Sequence, residues 1–87
     1  FSVGGGSLKR KISLNIVNAI KLCKKKQVKV ISIVAKKDGY SYKNSNCSLL
    51  IPIQDKKFIT PLSEAYQAVI WHLLVSHPRL QSNKTTW

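Results

Sequence analysis

Apolar residues along the chain follow a helical period in some stretches and a strand-like pattern in others. Between Leu14 and Lys26 they recur every three or four positions, as in Ile16 and Ile20, which predicts a helix with one apolar face. Ser13 is the predicted N-cap of this helix. Lysines fill its last turns, where positive charge complements the helix dipole.

A β-branched run from Val28 to Val34 predicts a strand covered on both faces, and an apolar run from Cys47 to Ile53 predicts a second strand. Pro52 near the end of the second run is compatible with a sheet edge. The segment between the runs, residues 36–46, is polar and is predicted to be turn and loop. Phe1 to Val3 is apolar and predicts the end of a further strand, which a glycine run interrupts.

A second helix is predicted from Pro61 to Ser76, with Thr60 as its cap and His77-Pro78 as its stop. This segment is apolar on nearly every side, so we expect it to be buried all round. Either a second copy of the chain or a missing part of the same domain would bury it.

The predicted order is strand, helix, strand, strand, helix, which indicates an α/β fold with a parallel sheet under helical cover. Three such strands leave open sheet edges, and the chain begins inside an apolar stretch. We therefore expect residues 1–78 to be part of a larger domain and residues 79–87 to be a polar tail.

The net charge of +12, from 15 basic and 3 acidic residues, favours an anionic partner such as nucleic acid, an anionic membrane or a phosphorylated substrate. The cations are mostly lysines, and aromatic residues are not interleaved with them as single-strand binding favours. We therefore expect a solvated lysine-rich surface, with nucleic acid as an unlikely partner. No apolar run is long enough to cross a bilayer, so no membrane partner is expected.

The two cysteines, Cys23 and Cys47, lack the spacing of a zinc finger or of a Cys-x-x-Cys site. Free thiols in a reducing compartment are the simplest interpretation. We expect a cytoplasmic protein.

The first stretch with candidate chemistry runs from Ser2 to Ser7, with three glycines, and is followed by Ser13 at a helix start. Bare backbone N–H groups and hydroxyls at the positive end of a helix can bind phosphate. The candidate phosphate-binding residues are Ser2, Gly4, Gly5 and Ser13. The run is neither a Walker A motif nor GxGxxG, so a plain tight turn is the alternative.

The second candidate stretch pairs Glu64 with His72 on the apolar helix. Together these residues could supply acid and base groups for proton transfer. The alternatives are a first-turn dipole partner for Glu64 and a hydrogen-bonded core position for His72. Eight residues of straight helix rise by roughly 12 Å, which is too far for both to hold one metal ion unaided.

Three segments of the chain resemble the sugar isomerase (SIS) domain family, in particular its sedoheptulose 7-phosphate isomerase-like and phosphoheptose isomerase-like branch. Phe1-Ser-Val-Gly-Gly-Gly with Ser13-Leu-Asn-Ile-Val-Asn-Ala-Ile resembles the second phosphate loop of that family. Ile33-Val-Ala-Lys-Lys-Asp-Gly-Tyr resembles a following strand and its turn, and residues 51–52 with 60–78 resemble the closing helix.

The resemblance implies the C-terminal half of a flavodoxin-like, three-layer parallel-sheet sandwich. It also implies a homo-oligomer, joined here through the helix at residues 61–76, that interconverts aldose and ketose sugar phosphates. Ser2 and Ser13 would bind phosphate, His72 would act in acid–base chemistry or bind zinc, and Glu64 would line the site. Zinc is thus a candidate cofactor, and the chain alone is expected to be inactive.

Two other functions stay open at this point. Some relatives within the family regulate rather than catalyse, so a non-catalytic module that binds a phosphosugar is the first alternative. A basic nucleic-acid-binding protein is the second, and binding that falls steeply with salt would support it.

Overall fold

The computed structural model describes residues 1–84 and 86 and has an α/β fold, with a two-stranded parallel sheet and three helices among these residues. In chain order the elements are α1 (Leu14–Lys25), β1 (Ile31–Val34), α2 (Tyr40–Asn44), β2 (Cys47–Leu50), a 3₁₀ turn (Lys56–Phe58) and α3 (Ile59–Ser76). The predicted α/β class and the parallel strand pair are confirmed. Thr85 and Trp87, in the predicted polar tail, lie outside the described residues.

Strands β1 and β2 pair in parallel, with Ile31 opposite Cys47 and Val34 opposite Leu50. Both are shorter than predicted. The ladder gains one more hydrogen bond from the Ile51 N–H to the Val34 carbonyl, at 2.8 Å. Pro52 follows directly, and its missing N–H lies on the side of the strand that faces away from β1.

The predicted first strand is reduced to a single parallel bridge between Ser2 and Val34. The Ser2 N–H donates to the Ile33 carbonyl at 3.1 Å, and the Ala35 N–H donates to the Val3 carbonyl at 3.0 Å. This bridge nevertheless sets the start of the glycine run beside the carboxyl end of β1.

Helix α1 begins after Ser13, as predicted, but its cap differs from the predicted one. Ser13 has a left-handed backbone (φ 48°) and its side chain makes no capping hydrogen bond. At the other end Gln27 is also left-handed (φ 58°). Gln27 and Val28 donate to the carbonyls of Lys24 and Cys23 at 3.1 and 2.8 Å, which is a Schellman motif.

Helix α2 lies where a polar loop was predicted, and that prediction is wrong. At five residues it is too short to be stable in isolation. Its first N–H groups, of Tyr40 and Ser41, donate to the carbonyls of Gly6 and Gly5, both at 2.8 Å. Contacts with the glycine run therefore hold the helix in place.

Helix α3 starts at Ile59, two residues before the predicted start, with Phe58 rather than Thr60 at the N-cap position. The preceding 3₁₀ turn explains the shift, because it leads directly into the helix. Its own cap is Asp55, whose carboxylate accepts a hydrogen bond from the Lys57 N–H at 2.9 Å.

The apolar core is small and consists of Val17, Ile20, Ile33, Val34 and Ile51. The radius of gyration is 14.3 Å, against about 12 Å for a compact chain of this length. Side chains alternate along a strand, so Ile31, Ile33 and the paired Leu49 share one sheet face. On that face Ile33 is 4% exposed and Ile31 is 70% exposed, so the face is covered at Ile33 and open where β1 begins.

Helix α3 also has an uncovered apolar surface, and Ser63 is the residue that the fold buries on it. Its exposed large apolar residues are Leu62, Tyr66, Val69, Trp71, Leu73, Leu74 and Val75. The expected burial on all sides is therefore not provided by the described residues. None of the helices in the described part of the chain is long and apolar enough to cross a membrane.

Candidate functional site

A cavity of about 300 Å³ lies beside the glycine run at the carboxyl end of β1. The carboxyl ends of parallel strands are where open α/β folds place their ligand sites. The cavity is lined by Ser2, Val3, Gly4, Gly6, Ser7, Arg10, Ile12, Ser13, Lys36, Asp38 and Gly39. It thus combines the glycine run with the start of α1 and the turn that follows β1.

Three of the four predicted phosphate-binding residues, Ser2, Gly4 and Ser13, line this cavity together. Ser13 immediately precedes α1, so the positive end of that helix lies at the cavity wall. The Ser2 hydroxyl accepts a hydrogen bond from the Gly5 N–H at 3.0 Å, which leaves its own O–H free to donate.

The fourth predicted residue, Gly5, is buried behind the cavity wall. Its N–H is bonded to Ser2, and its carbonyl accepts two hydrogen bonds from Ser41, one from the N–H and one from Oγ, both at 2.8 Å. Gly5 therefore shapes the loop rather than offering a donor to a ligand.

The Gly6 N–H is a backbone donor without a hydrogen-bond partner among the described residues. In a trans peptide the N–H points opposite to the preceding carbonyl, and the Gly5 carbonyl is held toward α2 by Ser41. The Gly6 N–H therefore points away from α2. Gly6 lines the cavity, and within residues 1–84 its N–H donates to no other group.

Glycine is required in the glycine run at Gly5 and Gly6 and, facing the run, at Gly39. Gly5 and Gly6 have φ values of 72° and 74°, a region that costs other residues free energy. A Cβ on Gly39 would overlap the carbonyl oxygen of Gly4 and lie 3.1 Å from the Gly5 Cα. The close approach of these two backbones is thus possible only with glycine at position 39.

Charged side chains give the cavity a mainly positive rim. Arg10 and Lys36 line it, and the Arg10 guanidinium lies 3.4 Å from an Asp38 carboxylate oxygen. Both partners of this ion pair are exposed, so the pair adds little stability. Its effect is to hold Arg10 at the cavity mouth, while Asp38 weakens the attraction for an anion.

Glu64 and His72, the predicted acid–base residues, lie on α3, exposed and away from the cavity lining. His72 stacks on Trp71, with ring centroids 3.6 Å apart. Since the two residues are eight positions apart on one continuous helix, they cannot bind a shared zinc ion within one chain. Among the described residues no three His, Cys, Asp or Glu side chains come close enough to hold a metal.

Sequence reasoning missed Lys36, Asp38 and Gly39 as cavity residues. The signal was present, because Asp-Gly turns that follow a strand of a parallel sheet lie at the same edge as the glycine run. It was assigned to turn formation alone. Both cysteines are free thiols, with Cys47 exposed at the start of β2.

We compared the chain with protein-family models, with curated proteins and with solved structures, and found no match. The interpretation of the site therefore depends on the geometry of this chain alone.

Proposed function

We propose that the chain binds the phosphate group of a phosphorylated sugar in the cavity beside the glycine run, as the C-terminal half of a SIS-type isomerase domain. The observation that carries the proposal is that Ser2, Gly6 and Ser13 line one cavity together, with Ser13 immediately before α1. Hydroxyls, bare N–H groups and a helix amino end are the usual partners of phosphate.

The size and charge of the cavity agree with this ligand. A volume of about 300 Å³ is at the small end of the range for ligand pockets. Arg10 and Lys36 contribute positive charge at the mouth, where they would attract a phosphate dianion.

The proposed three-layer sandwich would place further helices over the uncovered part of this sheet face, at Ile31 and Leu49. Both side chains are exposed in this chain, and a parallel sheet is normally covered on both faces. The rest of such a domain would complete the layer and bury these side chains. We propose a cytoplasmic location for the whole protein.

Isomerisation needs an acid–base group within hydrogen-bond reach of the proton that moves. Because His72 and Glu64 lie outside the cavity, we propose that they act only on a site formed with a second copy, through the apolar surface of α3. A single copy is expected to bind the sugar phosphate without converting it.

A non-catalytic phosphosugar-binding module is the second candidate, and the distance between α3 and the cavity favours it. The isomerase and the non-catalytic module are distinguished by whether the self-associated protein converts the sugar phosphate. Conversion of sedoheptulose 7-phosphate that is lost in His72→Ala supports the isomerase, whereas binding without conversion at every protein concentration supports the module.

The test of the shared claim is a calorimetric titration of the chain with a sugar phosphate and with the same sugar lacking phosphate. We expect only the phosphorylated sugar to bind, and Ser13→Ala to weaken binding by about tenfold to a hundredfold, because one hydrogen bond to a charged group contributes about 1.5–3 kcal/mol. Ser76→Ala, at the exposed end of α3, is the matched control. Equal binding of both sugars, or no binding at all, would refute the proposal.

A further inference from the structure

A second concave surface lies at the opposite end of the sheet, where β1 and β2 begin. Two segments far apart in sequence, residues 24–29 and 43–46, form its walls and enclose about 410 Å³. We call it the lysine concavity, after the residues that define it: Lys24, Gln27, Lys29, Lys43, Asn44 and Asn46.

Hydrogen bonds fix the two walls against each other. The Lys24 ammonium donates to the side-chain carbonyl of Asn44 at 3.0 Å. Asn46 pairs with Val30 twice, through its side-chain oxygen at 2.8 Å and its own N–H at 2.9 Å. The lysines therefore stand on a defined backbone rather than on a loose loop.

The lysine concavity has no carboxylate in its lining. Of the three acidic residues in the chain, Asp38 pairs with Arg10 at the glycine-run cavity, Asp55 caps the 3₁₀ turn and Glu64 lies on α3. The lysine charges are thus not neutralised by acidic side chains.

The negative ends of two helix dipoles offset part of this positive charge. Helices α1 and α2 both end here, with Lys24 and Lys43 in their last turns, and each carboxyl end carries at most about half a negative charge. Three lysines against two helix ends leave an excess of about two positive charges. Lys29 follows the Schellman motif and belongs to neither helix.

We propose that the lysine concavity binds the phosphodiester backbone of a nucleic acid, without reading its sequence. Lysine ammonium groups and Asn or Gln amides are typical phosphate contacts. The sequence made nucleic acid an unfavoured partner because aromatic residues are not interleaved with the lysines. That argument counts against base stacking and not against contacts to the phosphate backbone. Backbone binding requires only positioned cations. The site is independent of the proposed sugar-phosphate cavity.

The test is fluorescence anisotropy of the full chain with labelled 20-nucleotide single strands of RNA and of DNA with one mixed sequence, over a series of salt concentrations. Each single-strand phosphate contact contributes about 0.7 to the slope of log affinity against log salt. Lys24→Gln/Lys29→Gln/Lys43→Gln should therefore lower that slope by about 2. RNA and DNA should respond alike, because the contacts are to phosphate.

The matched control removes the same charge from exposed lysines elsewhere, as Lys37→Gln/Lys56→Gln/Lys57→Gln, and should lower the slope by less than half as much. Replacing the three concavity lysines by arginine should preserve binding. Should the triple glutamine variant unfold, Lys29→Gln against Lys56→Gln makes the same comparison with an expected change of about 0.7.

Equal slopes for the two triple variants would overturn the proposal, since the attraction would then come from net charge alone. So would the absence of binding at low salt, or competition by a free sugar phosphate, which would assign the nucleic acid to the glycine-run cavity. Tighter binding of poly-glutamate than of RNA with the same number of charges would reassign the surface to an acidic protein partner.

Discussion

The close approach of Gly39 to the glycine run makes Gly39→Ala the sharpest test of the fold. The new methyl group would overlap the Gly4 carbonyl oxygen and press on the Gly5 Cα at 3.1 Å. Both obstacles are backbone atoms, so no side-chain rotation can relieve them. Overpacking of this kind costs about 1–3 kcal/mol.

The chain has little stability to spare for such a loss. Proteins of this length are stable by roughly 4–13 kcal/mol, and a core of five apolar side chains places this chain near the lower limit. A loss of about 2 kcal/mol would lower the melting temperature by about 8–16 °C. It would also move the Gly6 N–H, whose direction depends on the hydrogen bonds from α2.

Gly4→Ala is the matched control, because a Cβ on Gly4 meets nothing within 4 Å. A glycine replaced without strain gains up to about 1 kcal/mol from the unfolded state, so this variant should be as stable as the parent or slightly more. Urea unfolding followed by tryptophan fluorescence measures both. The reasoning fails if Gly39→Ala unfolds at the parent's midpoint, or if Gly4→Ala loses as much stability as Gly39→Ala.

Three further predictions follow from the same contacts. Ile33→Ala should cost about 2–5 kcal/mol of unfolding free energy and Ile31→Ala less than about 0.5; equal costs in urea would show that Ile31 is covered as fully as Ile33. Asp38→Asn should tighten phosphate binding about fivefold in a calorimetric titration, by removing a negative charge worth about 1 kcal/mol beside Arg10; weaker binding would count against the cavity. Val69→Glu, at a position 65% exposed on α3, should shift the protein toward monomer in sedimentation velocity, and an unchanged distribution would exclude α3 as the contact between copies.

The elements that sequence patterns predicted are those whose stability is mainly local. Helix α1 has a one-sided apolar face, and its predicted and observed ends differ by one residue. Strands β1 and β2 lie inside their predicted runs; in β1 the β-branched Ile31, Ile33 and Val34 favour extended backbone. The start of β2 follows the hydrogen bonds between Asn46 and Val30, and a periodic pattern does not show such contacts.

Helix α2 could not be predicted in the same way, because its stability comes from partners distant in sequence. Ser41 is the second residue of α2 and is buried. Its Oγ donates to the Gly5 carbonyl, 36 positions away in the sequence. Ser32 contributes a further contact, to the Ser41 carbonyl at 3.4 Å. No property of the polar segment 40–44 taken alone favours a helix over a loop.

The contrast between local and long-range contacts also separates the predicted phosphate-binding residues from the predicted acid–base residues. Ser2, Gly4 and Ser13 were assigned to one phosphate site because a strand end, a glycine run and a helix start adjoin in sequence. They line one cavity, where the bridge from Ser2 to Val34 holds the start of the run. Glu64 and His72 were joined to them by resemblance, and their distance from the cavity depends on how α3 packs. That helix makes few contacts with the sheet beyond the hydrogen bond from the Gln67 amide to the Ile33 carbonyl at 3.4 Å. Under the proposed function, what covers α3 would therefore decide whether the glycine-run cavity gains an acid–base group, and with it whether the protein could catalyse or only bind.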